Sequence, residues 1–168
     1  LEELIHAGAE TFIRVGTCGR ICEESYNKNY EGVVITGAIR HEGTTVQYIP
    51  IEYPAMADRH VTEALVQSAQ EQGFCFAEGI AQCKDSFYGQ HDPDSMPSSF
   101  MLKSYWEAWE KAGVMASEME SATVFIVASI RGKKAGALMA YEHMNENTIK
   151  TAIGAIKKLI KADKAQSG

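Results

Sequence analysis

Short β-branched runs alternate along this chain with apolar stripes at helical spacing, and that alternation constrains the fold most. Residues 11–15 and 32–39 read as strands, the second containing Val-Val-Ile-Thr; so do 74–81, 114–116 and 135–140. Residues 58–72 read as a helix, with Val61, Leu65, Val66 and Ala69 on one stripe and Gly73 closing it. Residues 1–7, 99–112, 120–131 and 146–162 read as further helices. Residues 20–31 are polar and carry no clear period, and 41–54 read as a hairpin or a long loop. This order predicts one α/β domain over residues 1–168 with a largely parallel or mixed sheet. Ligands of such sheets sit at the carboxyl ends of strands, which directs attention to loops expected at 16–19, 84–97 and 117–120.

Sixteen basic residues against 22 acidic ones leave a net charge of −6. That balance argues against a general nucleic-acid binder and against a protein held on anionic membrane. One local arginine can still hold a small anion. The most apolar run, 122–130, falls far short of the roughly 20 residues of a bilayer span. Cys18, Cys22, Cys75 and Cys83 form no Cys-x-x-Cys pair and fit no zinc spacing, so reduced thiols and no metal are expected. With no basic stretch leading into an apolar core at the start, the expectation is a cytoplasmic protein.

Three segments carry chemistry. In the first, residues 11–19, Arg14 lies inside an apolar strand on the face of Phe12 and Gly16. A guanidinium there costs free energy without a partner. Beside a glycine loop it suits an anion, with loop N–H groups and the Thr17 hydroxyl assisting; a structural salt bridge explains it equally well. In the second, residues 85–93, Phe87 and Tyr88 offer ring faces for stacking, and the Gln90 amide both donates and accepts, as a base edge requires. His91 sits beside them; the plainer reading is a packed turn with Phe87 in the core. In the third, residues 117–122, Glu118 and Glu120 point to one face if extended. Such a carboxylate can accept two hydrogen bonds from a vicinal diol, or Glu120 can simply cap the following helix. His41, His60 and His143 lie in no metal spacing and read as surface or structural. Trp106 and Trp109, three apart, read as a packing face.

Phe-Ile-Arg-Val-Gly-Thr-Cys-Gly (12–19), Cys-Lys-Asp-Ser-Phe-Tyr-Gly-Gln-His-Asp-Pro (83–93) and Ala-Ser-Glu-Met-Glu-Ser-Ala (116–122) together resemble the nucleoside phosphorylase family. The resemblance is to its uridine-cleaving branch and runs in order from Leu1 to about Ala140. It implies a three-layer α/β/α sandwich around a mixed sheet. It also implies reversible phosphorolysis of uridine to uracil and ribose 1-phosphate. Phosphate would be held by Arg14, Gly16 and Thr17. Glu118, Met119 and Glu120 would hold the ribose, and Phe87, Gln90 and His91 would meet the base. Arg14, Glu120 and Gln90 would carry the chemistry, with phosphate as co-substrate and no cofactor or metal. Partners implied are the nucleoside, phosphate and further copies of the chain in dimers or hexamers, with no nucleic acid and no membrane. The resemblance also implies an N-terminal portion with a Gly-Asp-Pro phosphate loop, so the domain is expected to be incomplete at that end. Alternatives are an inactive nucleoside-binding or assembly module, and a purine-type phosphorylase or nucleosidase.

Overall fold

Alternation along the strands sorts their side chains onto two helix-covered faces. A computed structural model describes residues 1–166. In chain order its elements are α1 (Glu2–His6), β1 (Thr11–Arg20), α2 (Glu23–Asn27), β2 (Gly32–His41), β3 (Ala55–Met56), α3 (Arg59–Glu71) and β4 (Phe76–Lys84). They continue with α4 (Phe87–His91), α5 (Ser99–Lys111), β5 (Ala116–Glu118), α6 (Ser121–Ile130), β6 (Lys134–Tyr141) and α7 (Glu146–Gln166). Val33, Ile35, Ala137 and Met139 pack with Phe125 and Ile126 of α6. Val34 and Leu138, one residue out of step, pack with Val61 and Leu65 of α3 and Ala152 and Ala155 of α7. The sheet therefore lies between two helical layers, an α/β/α arrangement. Val33, Val34 and Ile35 are fully buried, each side chain contributing about 1.5–3 kcal/mol.

The sheet is mixed, in the order β3-β2-β4-β5-β1-β6. β1 runs parallel to β6, β2 and β4 run parallel to each other, and β4 runs parallel to β5. β2 also pairs antiparallel with β6, Gly32 opposite Ala140 through Ile35 opposite Ala137. That last pairing joins β6, at one end of the strand order, to β2, next to the other end, and closes β2, β4, β5, β1 and β6 into a ring, with β3 attached outside on β2. β2 shifts register against β4 at Thr36, and beyond that bulge it pairs with β3 in place of β6.

Local signals account for most element ends. Asp58 caps α3, accepting from the N–H groups of His60 and Val61 at 2.9 and 3.1 Å. Gly73 follows α3 with φ of 65°, the left-handed region glycine enters without cost. Two expectations fail. No loop begins at Gly16: β1 continues to Arg20, because β6 pairs with it through Cys18 and β5 pairs with Gly19 and Arg20. The stretch expected as a loop at 84–97 contains α4 and a 3₁₀ turn, with Ser86 accepting from the Gly89 N–H at 2.9 Å as the cap. Residues 20–31 contain α2, and 41–54 form a loop with one 3₁₀ turn. Arg40 organises that loop by donating to Thr45 Oγ1 and to the carbonyls of Ile49, Pro50 and Tyr53.

Candidate active site

The three segments meet at the junction of β5 and α6. β5 is only three residues long and lies between β4 and β1, so the segment after it emerges beside the ends of both.

Arg14 sits in β1 with its guanidinium folded over Gly16. A Cβ at Gly16 would overlap Nη1 and lie 2.6 Å from Cζ, so only glycine leaves the room. Nη1 donates to the Val15 carbonyl at 2.7 Å, and Nη2 donates to Glu120 Oε2 at 2.6 Å. Nε is buried with no partner among the described residues. Both readings of Arg14 thus meet in one place: it has a carboxylate partner, and that partner is the residue expected to take the diol. Thr17 falls on the opposite face of β1 from Arg14 and is exposed, since the strand runs straight through where a turn was expected.

Glu118 and Glu120 separate instead of sharing a face. Glu118 is 3% exposed, and its Oε2 accepts from the N–H groups of Glu120 and Ser121, both at 2.9 Å. Glu118 is therefore the cap of α6. Glu120 stands at the N-cap position without a side-chain cap bond, and its half-exposed carboxylate turns to Arg14. Glu118 Oε1 is buried without a hydrogen bond among the described residues. Met119 lies between them, partly buried.

Gln90 joins the same junction. Its Oε1 accepts from Ser117 Oγ at 2.6 Å. The Gln82 Oε1 lies 2.7 Å from the same hydroxyl, and Lys84 Nζ donates to it at 2.6 Å. Burial pulls the Lys84 pKa down, opposed chiefly by the charge of Glu118. Phe87 is 52% exposed, so it is not a core residue. Its ring lies 4.1 Å from that of His91 and meets Tyr88 edge-on. Burial lowers the His91 pKa, and the Lys84 charge adds to the shift.

A cavity of about 470 Å³ opens on the Gln90 side of the junction. His41, Gln82, Lys84 and Gln90 give it polar walls, and Trp106 and Trp109 of α5 give it apolar ones. Arg14, Thr17, Phe87 and residues 118–120 do not line it. Gln82, Lys84, Ser117 and His41 do not stand out as functional residues in the sequence. The available signal is two long polar side chains, Gln82 and Lys84, at the carboxyl end of an apolar strand. His41 packs edge-on against Trp109 at 4.9 Å and tilted against Tyr105 at 5.1 Å. Its pKa falls by burial, with Asp85 opposing.

The Cys18 and Cys83 thiols are not poised as nucleophiles. Burial pushes Cys18 up to about 12, with Glu118 adding, and pushes Cys83 up as well, so both stay protonated near neutrality. All four cysteines are free, Cys75 alone being exposed. Among the described residues no group of three or more His, Cys, Asp or Glu could hold a metal, and no helix is long and apolar enough to cross a membrane.

A mixed α/β domain with a cationic fork, a carboxylate and a primary amide around one strand end is built as a small-ligand-binding domain. The family model of the phosphorylase superfamily matches residues 1–162, and the chain belongs to that superfamily. It is 42% identical to a uridine phosphorylase of Treponema pallidum, over 97% of this chain and 68% of that protein. It is 37% identical to a uridine phosphorylase of Klebsiella aerogenes, over 81% of this chain and 54% of the other. A guanosine phosphorylase of Halorubrum lacusprofundi is 36% identical, over 82% and 52% respectively. The chain thus spans between about half and two-thirds of the length of these relatives.

Proposed function

We propose that this chain carries the nucleoside-handling part of an enzyme of reversible uridine phosphorolysis. One observation carries the reading: Arg14 and Gln90, 76 positions apart, are both hydrogen-bonded into the segment 117–120. Phosphate attacks the ribose carbon that the base leaves, so the groups holding phosphate, ribose and base must be neighbours.

In this reading Arg14 offers a charge-assisted fork to phosphate, and Gly16 makes the room the fork needs. Thr17 would take part only through its backbone. Glu120 accepts from the ribose hydroxyls, Met119 packs on the sugar, and Glu118 holds the helix start that aims both. Gln90 reads the base edge, with Phe87 and His91 beside it. The C1′–N1 electron pair passes to the base as a hydrogen phosphate oxygen bonds to C1′. The proton of hydrogen phosphate then passes to the base, giving uracil and ribose 1-phosphate. Positioning and electrostatics supply the acceleration, and phosphate is the only co-substrate required.

The same proposal includes a cytoplasmic location and self-association, which sedimentation velocity checks. Its test is the chain with uridine and phosphate, followed by the absorbance change as uracil forms. Turnover that requires phosphate supports the reading; uridine binding without turnover would leave a binding module. The similarity to a guanosine phosphorylase favours a second reading, a purine nucleoside as substrate. Guanosine cleaved faster than uridine would decide for it.

A further inference from the structure

Lys84 is a buried cation with no carboxylate in contact among the described residues, the charge of Glu118 opposing the effect of its burial only from beyond ion-pair distance. It is 6% exposed. Its one hydrogen bond among those residues goes to a neutral hydroxyl, Ser117 Oγ. Taking an ammonium out of water is costly, and a single neutral acceptor recovers little of that cost. A chain that retains such a group recovers the rest when an anion enters beside it.

The anion's place is marked by the cavity. Lys84 and Gln90 both line it and both bond Ser117 Oγ at 2.6 Å, so the charge stands one hydroxyl away from the base-reading amide. Arg14, the seat proposed for phosphate, does not line this cavity. The anion that develops on the cavity side is therefore the base.

We propose that Lys84 stabilises the negative charge on the departing pyrimidine base, and that Ser117 couples Lys84 to Gln90. This rests on the phosphorolysis reading above. As the C1′–N1 bond breaks, its electron pair spreads over the ring nitrogen and the two exocyclic oxygens. A preorganised cation beside those oxygens acts where the charge develops, and Lys84 is itself nearly shielded from solvent. Lys84 also donates to Ser117, so the single Ser117 proton is left to the two amide oxygens within its reach, those of Gln90 and Gln82, and the shorter contact is with Gln90.

The test uses the whole chain with Lys84→Met, which removes the charge but keeps most of the unbranched side chain, and Lys84→Arg, which keeps the charge. The first readout is 5-nitrouracil, whose anion and neutral form absorb at different wavelengths. Wild type is expected to shift the titration of the bound base to lower pH; Lys84→Met abolishes the shift and Lys84→Arg retains it. The second readout is turnover. Lys84→Met is expected to lower kcat for uridine by about 100-fold, and to cost less with 5-fluorouridine, whose base leaves more readily. Equal losses on both nucleosides, or a bound titration that Lys84→Met leaves shifted, overturns the proposal. So does a Lys84→Met defect confined to the KM for phosphate, which would place phosphate at Lys84. Wild type that binds no pyrimidine base overturns the phosphorolysis reading and this one with it; wild-type binding that Lys84→Met leaves unaltered overturns this one alone.

Discussion

Arg14 Nη2 and Glu120 Oε2 lie 2.6 Å apart, and their bond ties the middle of β1 to the N-cap of α6. The pair is partly exposed, so its stabilisation of the fold is small, about 0–1 kcal/mol. Its value in the proposed reaction is larger, because the carboxylate would hold the ribose hydroxyls. Glu120→Ala is expected to leave the thermal midpoint nearly unchanged and to lower kcat/KM for uridine by about 10- to 100-fold, the worth of hydrogen bonds to a charged group. A large fall in the midpoint with unchanged kinetics would make the pair structural only.

Gly16→Ala tests the seat of Arg14 from below. The new Cβ would overlap the guanidinium, the movable end of a long side chain, and not the backbone. The fold is therefore expected to survive while Arg14 is displaced. The KM for phosphate should rise about tenfold, the equivalent of one charge-assisted hydrogen bond, with the KM for uridine changed less. Isothermal titration with phosphate and a thermal melt separate the two effects.

Most of the strand and helix order was legible because it rests on local chemistry, whereas the short α2, β3 and α4 were not. The α3 stripe of Val61, Leu65 and Ala69, with Gly73 after it, reads directly from the sequence and stands in the structure. The closure of β2 onto β6 was not legible, since pairing Gly32 with Ala140 is a long-range event with no local signal. Glycine misled at residue 16: it reads as a turn former, yet it serves a strand in which Arg14 needs space. For the site, residue types pointed to Arg14, Gln90 and Glu120. They did not separate Glu118 from Glu120, because which carboxylate caps α6 depends on backbone direction after β5. Lys84 was hidden among surface-type residues until the sheet buried it.

Glu118 caps α6 with one oxygen that accepts two N–H groups. Glu118→Gln keeps an acceptor there, whereas Glu118→Ala leaves both donors unmet. The alanine variant is expected to be less stable than the glutamine variant by about 0.5–2 kcal/mol, the usual worth of an N-cap. Urea unfolding of the two variants measures the difference, and equal midpoints would show that water replaces the cap.

His41 gives the fold a pH dependence of defined sign. Its ring is partly buried against Tyr105 and Trp109, close to Gln82 Nε2 at 3.5 Å, and faces the opposing charge of Asp85. Burial dominates and holds its pKa below the ordinary value of about 6.5. The unfolded chain therefore takes up the proton first as pH falls through about 6.5, and protonation there favours unfolding. The His41 contribution is fully present above that pH and is lost progressively below it. The urea midpoint of wild type should fall between pH 7.5 and 5.5 by more than that of His41→Gln, which carries no titrating group. A nucleoside base in the neighbouring cavity buries the ring further, so the difference between the two proteins should widen when uridine is present. Parallel falls in the two proteins would mean that His41 is solvated well enough to titrate as it does in the unfolded chain.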